Sequence, residues 1–470
     1  MEKIFVNEYI DTQNVYIEKC REILKEKFKG LQPLFYQHSY GCQGNVSEGE
    51  KIEGILNDIG YKKTNDLNNA NIIILNTCAI REKAQDKVFS NLGNILNLKI
   101  NDKEKIIGIC GCMVQQEHVK KRIEENFKTV NLIFGPHVID KLPQMLYKVL
   151  SKEKKRYVNI DQEETIKEGI PVLRNDKIKA LVPISYGCNN FCSYCIVPYV
   201  KGRERSRNFN VILDEVKKLV ECGYKEIMLL GQNVNSYGLD LNLKDGFSNL
   251  LYEINKIKGN FWVRFMTSHP KDFTKKLVDV ISICDKVCKH FHLPIQSGCD
   301  RILLAMNRKY DRKKYLEIID YVKKTIKNAT FTTDIIVGFP GEIYEEFKET
   351  LKVVEKVKYI SIFNFIFSKR VGTKAEKMPD LISKKEKTKW LEELIERQNE
   401  ISLKLNESYV GKEEKVLFEG VKKAEDDVMI GRTAGNILVC CKKDEKLIGN
   451  FGNVRITKAH RTMLEGSLIF

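Results

Sequence analysis

Two stretches of this chain alternate short apolar strands with amphipathic helices, and that alternation leaves few folds open. In the first, apolar strands at 34–37, 71–75, 106–109 and 131–134 are separated by polar loops and helical patterns at 48–59, 81–98 and 115–127. Parallel strands need crossovers of this kind, so the stretch predicts an α/β domain with a doubly wound parallel sheet. Ligands of such sheets collect beyond the carboxyl ends of the strands. Cys42, Cys78 and Cys112 each fall in a loop just past one of them. In the second stretch, strands at 180–185, 226–231, 261–267, 290–293, 330–337 and 360–367 alternate with helical patterns that include 211–221, 273–283, 312–327 and 345–356. Six βα units in about 190 residues predict a parallel barrel, partial because the common closed form has eight. Its functional residues are again expected at the strand C-termini.

The rest divides around these two blocks. Residues 1–33 read as a charged helical extension, 34–150 as the sheet domain, and 151–178 as a charge-rich linker or edge hairpin. The barrel and a following helix occupy 179–402, with Ser383 placed to cap that helix. From 403 the pattern changes to short β pieces at 414–420, 428–432, 437–440 and 453–459, which predict a small β-barrel of OB-like type. Fourteen cysteines in 470 residues are too few for a disulfide-stapled secreted domain. The first residues lack the apolar core of a signal peptide, and no apolar run nears the roughly 18 residues that span a bilayer. The expectation is a cytoplasmic protein without membrane contact and with reduced thiols, so clustered cysteines point to metal. The net charge of +16 (79 Lys plus Arg against 63 Asp plus Glu) favours a polyanionic partner. Lysine is abundant throughout, however, and from residue 403 onward 12 basic residues face 10 acidic ones, so the surplus is not stored in the C-terminal domain.

The chemistry concentrates in Tyr186-Gly-Cys188-Asn-Asn-Phe-Cys192-Ser-Tyr-Cys195, directly after the first barrel strand. Three thiolates within eight residues can ligate three irons of a 4Fe–4S cluster. The absent fourth ligand leaves one iron open to bind and activate a small molecule. A structural zinc site would want a fourth Cys or His close by, and the next 20 residues offer none. Cys42, Cys78 and Cys112 are 36 and 34 positions apart, so only a sheet that gathers strand ends can bring them together. Cys110 is at the end of the strand, two residues before the loop cysteine.

The Cys-x3-Cys-x2-Cys spacing resembles the radical S-adenosylmethionine (SAM) superfamily. In that superfamily the open iron holds the amino and carboxylate groups of SAM, and reduction yields a 5′-deoxyadenosyl radical. Gly41-Cys42-Gln-Gly-Asn45, Asn76-Thr77-Cys78-Ala-Ile-Arg81-Glu-Lys-Ala-Gln85 and Gly111-Cys112-Met-Val-Gln115 resemble the three cysteine loops of its methylthiotransferases. The resemblance implies a second 4Fe–4S cluster on Cys42, Cys78 and Cys112, involved in delivering sulfur, and it selects Cys112 over Cys110. Gly231-Gln232-Asn233-Val234-Asn235-Ser236-Tyr237-Gly238, His292-Leu-Pro-Ile-Gln-Ser-Gly298 and Asp334-Ile-Ile-Val-Gly-Phe-Pro-Gly-Glu342 are similar to the later family segments. The tail resembles a TRAM domain, an RNA-binding β-barrel. One departure is Phe367-Ser-Lys369-Arg370-Val-Gly-Thr373, where the family usually opens on tyrosine; that change is expected to be tolerated.

The resemblance implies an enzyme that methylthiolates C2 of isopentenyl-adenosine beside the tRNA anticodon. It would use two 4Fe–4S clusters, SAM, an external electron donor and a sulfur source. Related methylthiotransferases act on threonylcarbamoyl-adenosine in tRNA or on a ribosomal-protein aspartate; the loops after Cys78 and at 231–238 argue against both. A non-catalytic iron–sulfur carrier or RNA-binding module would have no need of a six-unit barrel. Gln232 and Asn233, at a barrel strand end, are candidates to bind SAM or substrate. Gly338 and Gly341 either admit SAM closely or only shape a turn. Lys201, Arg203, Arg205 and Arg207 are candidates for RNA phosphate or SAM carboxylate contact.

Overall fold

The computed structural model describes residues 2–79, 82–101, 104–423 and 425–469. The chain divides into two compact units. The first comprises Met1–Asn175, Tyr186–Asn189 and Ile196–Arg205, and the second Asp176–Ser185, Asn190–Cys195 and Ser206–Phe470.

In the first unit β1 (Leu34–Ser39), β2 (Lys62–Lys63), β3 (Ile72–Thr77), β4 (Ile106–Gly111), β5 (Leu132–Phe134) and β6 (Tyr157–Asn159) form one sheet. Its order is β2-β1-β3-β4-β5-β6, and every pair is parallel. Both β3 and β4 are buried along their whole length because helices cover both faces. Helices Glu2–Phe28, Gln43–Ile59 and Leu142–Leu150 cover one face, and Glu82–Asn101 and Glu117–Asn126 the other. The N-terminal helix is therefore part of this core, with Cys20 and Leu24 buried in it. The strand order reverses direction once, between β1 and β3, which makes that crevice the switch point where such sheets bind ligands.

Two expectations need correction here. Strands β1, β3 and β4 run two residues further than their apolar runs, through Ser39, Asn76–Thr77 and Cys110–Gly111. Polar residues continue the ladder because their side chains find partners inside, as the next section describes. The 151–178 segment is neither a plain linker nor a hairpin, since Tyr157–Asn159 adds a parallel edge strand to β5. The expected helix start at Arg81, with Ile80, lies outside the described residues.

In the second unit strands Lys179–Pro183, Glu226–Leu230 and Trp262–Phe265 pair in parallel, as do His290–His292, Thr330–Val337 and Ser361–Ile366. A parallel bridge between Val263 and Val287 links the two groups. Each strand thus neighbours the next in sequence, which is the winding of a partial (βα)6 barrel. Helix Lys384–Glu407 follows, capped by Ser383 in a reciprocal pair with Glu386.

The chain ends in a closed five-stranded barrel of Glu413–Lys422, Glu425–Thr433, Leu438–Lys442, Met463–Ile469 and Phe451–Ala459. The strand Met463–Ile469 was not visible in the sequence pattern, because Gly466 interrupts its alternation where the Val454 side chain presses against the backbone. This small barrel packs near the N-terminal ends of the large barrel's strands. Arg264 bonds Glu226 Oε2 (2.7 Å) and the carbonyls of Thr433 (2.7 Å) and Ala434 (3.1 Å), and Thr330 Oγ1 bonds Gly435 O (2.8 Å). The opposite, C-terminal end carries the loops where chemistry is expected. Among the described residues no helix is long and apolar enough to cross a membrane.

Candidate metal centres

Cys42, Cys78 and Cys112 follow β1, β3 and β4, three adjacent strands that include the switch point. Cys42 is the N-cap of the helix Gln43–Ile59. Gly41 and Gly111, one residue before two of the cysteines, have φ of +117° and +94°. A Cβ on Gly41 would stand 2.3 Å from Cys78 Cβ, and one on Gly111 2.3 Å from Asn76 Oδ1. Both positions therefore require glycine for handedness and for space.

Polar side chains lock the loops together. Asn45, fully buried, donates to Thr77 O (3.0 Å) and accepts from Cys42 Sγ (3.2 Å). Asn76, also fully buried, donates to Asn45 O (2.7 Å), and Thr77 Oγ1 donates to Cys110 O (2.5 Å). A hydrogen bond from Cys78 pushes the Cys42 thiol down to about 6 against the effect of burial, and Lys201 adds to the shift. Burial pushes Cys112 up to about 12 despite the nearby Lys201. Cys110 is wholly buried in the helix-covered core, and burial raises its thiol well above the ordinary value. It packs, while Cys112 faces the other two loops.

Cys188, Cys192 and Cys195 lie within eight residues of chain. In the second unit the loop from Asn190 to Cys195 is fastened at several points. Ser193 bonds Ala305 O through Oγ (2.9 Å) and Met306 O through its N–H (2.9 Å). Asn307 donates to Phe191 O (2.8 Å), and Lys271 to Asn190 Oδ1 (3.0 Å). The buried Arg308 donates to Cys192 Sγ (3.3 Å), Pro294 O (3.0 Å) and Tyr310 Oη (2.9 Å). The guanidinium thus stands directly beside one of the three sulfurs that would ligate metal.

Among the described residues no three His, Cys, Asp or Glu side chains converge closely enough to hold a single metal ion. A mononuclear zinc site thus lacks its donors, whereas an iron–sulfur cube takes one thiolate per iron and asks for wider spacing. Both cysteine sets supply sulfur only, three donors each, with a basic side chain beside them. No disulfide joins any of the fourteen cysteines among the described residues.

The other sequence candidates fare unevenly. Gln232 is half-buried at the end of its strand. Asn233 is buried, and its amide is taken up by Asp272 Oδ2 (2.7 Å) and by the His269 N–H (3.1 Å), so it ties two loops together. Gly338 has φ +69° and would meet the Lys387 side chain at 2.5 Å, while its N–H donates to Glu342 (2.7 Å). With Gly341 at φ +81°, the two glycines shape a turn closed by that carboxylate.

The basic run does not act as one surface. Lys201 is buried against Glu48 (2.5 Å), and Arg207 is buried against Glu215 (2.8 Å) and Pro183 O (2.8 Å). Arg205 is half-buried, bonding Glu163 O (2.5 Å) and Lys201 O (3.1 Å); only Arg203 is exposed. Alternating charges after a turn look solvated in sequence, and the carboxylate partner of Lys201 lies 153 residues away. Sequence reasoning also passed over Glu48, Asn76 as a loop lock, and Arg308. Only Asn76 had a signal, as part of a quoted cysteine motif.

Residues 34–135 match the uncharacterized protein family UPF0004, 182–354 the radical SAM superfamily, and 407–469 the TRAM domain. The chain is 45% identical over 452 residues to the tRNA-2-methylthio-N(6)-dimethylallyladenosine synthase of Thermoanaerobacter pseudethanolicus, covering 96% of each protein. It is 47% identical over 436 residues to the enzyme of that name from Desulforamulus reducens, covering 93% of this chain and 95% of that one. In fold it is similar to the radical SAM methyltransferase TsrM of Kitasatospora setae, solved with cobalamin and a [4Fe-4S] cluster. The TM-score is 0.53 at 13% identity, covering 74% of this chain and 77% of that one. Identity of this degree over nearly the whole length, with both cysteine sets in the expected loops, means that the chain belongs to the tRNA-2-methylthio-N(6)-dimethylallyladenosine synthase family of radical SAM methylthiotransferases.

Proposed function

We propose that this protein is a cytoplasmic tRNA-modifying enzyme that replaces the C2 hydrogen of isopentenyl-adenosine, beside the anticodon, with a methylthio group. Cys188, Cys192 and Cys195 would hold a 4Fe–4S cluster with one iron open to SAM, and Cys42, Cys78 and Cys112 a second cluster. When bound, the first cluster would pass an electron from an external donor to SAM for its reductive cleavage; a second SAM would supply the methyl group and a separate source the sulfur.

The protein's own part is to place and shield. Ser193, Asn307 and Lys271 hold the radical-cysteine loop, and Arg308 neutralises charge on Cys192. Asn45, Asn76 and Thr77 fix the three auxiliary loops, and Gly41 and Gly111 let them approach. Asn233 orients the loops at the barrel mouth instead of binding a ligand itself. Gln232 remains the candidate ligand-binding side chain there, and Arg203 the exposed phosphate contact. The division of labour follows the segments 34–150, 179–402 and 403–470, with the C-terminal barrel contributing to tRNA binding.

The observation that carries this reading is the placement of three dispersed cysteine loops on adjacent strand ends at the sheet's switch point. The test is anaerobic reconstitution with an iron count, then incubation with SAM, a reductant and isopentenylated tRNA. Formation of both 5′-deoxyadenosine and the methylthiolated nucleoside is expected. Absence of both overturns the assignment.

A further inference from the structure

Lys201 ends a short helix, Val197–Lys201, whose Ile196 and Val200 pack against Ala79 and Cys112. The ammonium is thereby carried into the auxiliary cysteine site. It is 6% exposed, forms a 2.5 Å ion pair with Glu48 and acts electrostatically on both Cys112 and Cys42. Glu48 is itself 6% exposed, and its second carboxylate oxygen has no hydrogen-bond partner among the described residues. A buried pair of this kind is a doubtful source of stability, because desolvation offsets most of the attraction. Its place against two of the three cysteines gives it another use.

We propose that Lys201, clamped by Glu48, is a positioning residue that sets the reduction potential of the auxiliary centre, and that it takes no part in binding RNA. The proposal rests on the reading that Cys42, Cys78 and Cys112 hold a cluster. Reduction adds one electron to that centre. A fixed cation on the ligating sulfur stabilises the added charge and raises the midpoint, and the nearby carboxylate tempers the effect. Two opposite shifts follow. Removing the cation lowers the midpoint; removing the anion raises it.

The experiment uses the full chain with Cys188, Cys192 and Cys195 all replaced by alanine, so that only the auxiliary centre can form. Iron and acid-labile sulfide are counted, and the midpoint is read by redox titration with electron paramagnetic resonance. In that background Lys201→Met is expected to shift the midpoint negative, Lys201→Arg to keep it near the parent value, and Glu48→Gln to shift it positive. Affinity for tRNA is expected to stay unchanged in the Lys201→Met variant. A parent that binds no iron overturns the cluster reading and this proposal with it. A loaded parent with the same midpoint in Lys201→Met overturns the proposal alone and leaves the cluster reading standing. If Lys201→Met takes up no iron, the Glu48→Gln variant decides, and an unchanged or lower midpoint there overturns the proposal.

Discussion

The two cysteine sets are built in opposite ways. Cys188, Cys192 and Cys195 are close because the chain makes them so, and the fold only has to fasten one loop. Cys42, Cys78 and Cys112 are close because three strands of a sheet end side by side, and nothing local brings them together. A local set survives moderate damage to the surrounding fold, since chain connectivity limits how far its members can separate. A topological set has no such limit. It should fail whenever the loops lose their registration, even where the rest of the molecule remains folded.

The largest effects come from the cysteines. Cys192→Ala should reduce both 5′-deoxyadenosine and methylthiolated nucleoside to background. Cys78→Ala should retain 5′-deoxyadenosine formation and lose only the thiolated product. Quantifying both products by mass spectrometry checks the division, and a Cys78→Ala protein that still thiolates tRNA would break it. Next in size is Gly41→Ala, which places a Cβ 2.3 Å from Cys78 Cβ at a φ of +117°. Backbone strain and overpacking cost on the order of 1–3 kcal/mol each. The loss should fall on the topological set, with iron per chain dropping by roughly half while the radical-cysteine loop stays loaded. Loss of all the iron would show that the two sets are not independent.

The same contrast explains what could be read in advance. The radical loop was legible as spacing. So were the six barrel strands, because each is a β-prone stretch set between helical patterns. The auxiliary set was legible only as three cysteines at three strand ends, and family resemblance had to say that they meet. What stayed hidden was the polar matter that makes them meet. Asn45, Asn76 and Thr77 sit where the apolar runs have already stopped, and their partners lie about 30 positions away, well beyond any local pattern. The burial of Lys201 was hidden for the same reason. A buried lysine and a solvated one look alike until Glu48, 153 residues earlier, is placed beside the first.

Asn76→Ala is the milder probe of that hidden layer. It leaves the β3–β4 ladder intact but removes one of two donors to Asn45 O, which keeps the Ser39 hydroxyl at 3.1 Å, so the loss should be that of a single hydrogen bond, about 0.5–1.5 kcal/mol. Urea unfolding measures it. Slower uptake of auxiliary iron should accompany the loss, with the radical cysteines unaffected. An equal loss of iron from both sets would argue that Asn76 acts only on global stability.

A last contrast depends on pH and separates the two regions by the chemistry of their locks. Around the auxiliary cysteines the bonds that Asn45, Asn76 and Thr77 donate to backbone carbonyls come from amides and a hydroxyl, which do not titrate. In the barrel the turn at Gly338 is closed by Glu342, whose carboxyl burial raises to about 7 even though the Gly338 and Phe339 N–H groups favour its charged form. A carboxyl whose folded value exceeds its unfolded value binds its proton more tightly when folded. Its contribution is present below the unfolded value of about 4.5 and is lost as pH rises to about 7. Glu342→Gln keeps an acceptor for the two N–H groups and removes the charge. The variant's Tm relative to the parent should therefore improve between pH 5 and pH 8, by up to about 3 kcal/mol of stability. Asn45→Asp makes the reverse comparison, putting a titrating group where the protein uses a neutral one, and it should lose stability over the same interval. If both differences are flat with pH, the carboxyl of Glu342 is solvated, and the distinction between a titrating lock and a silent one disappears.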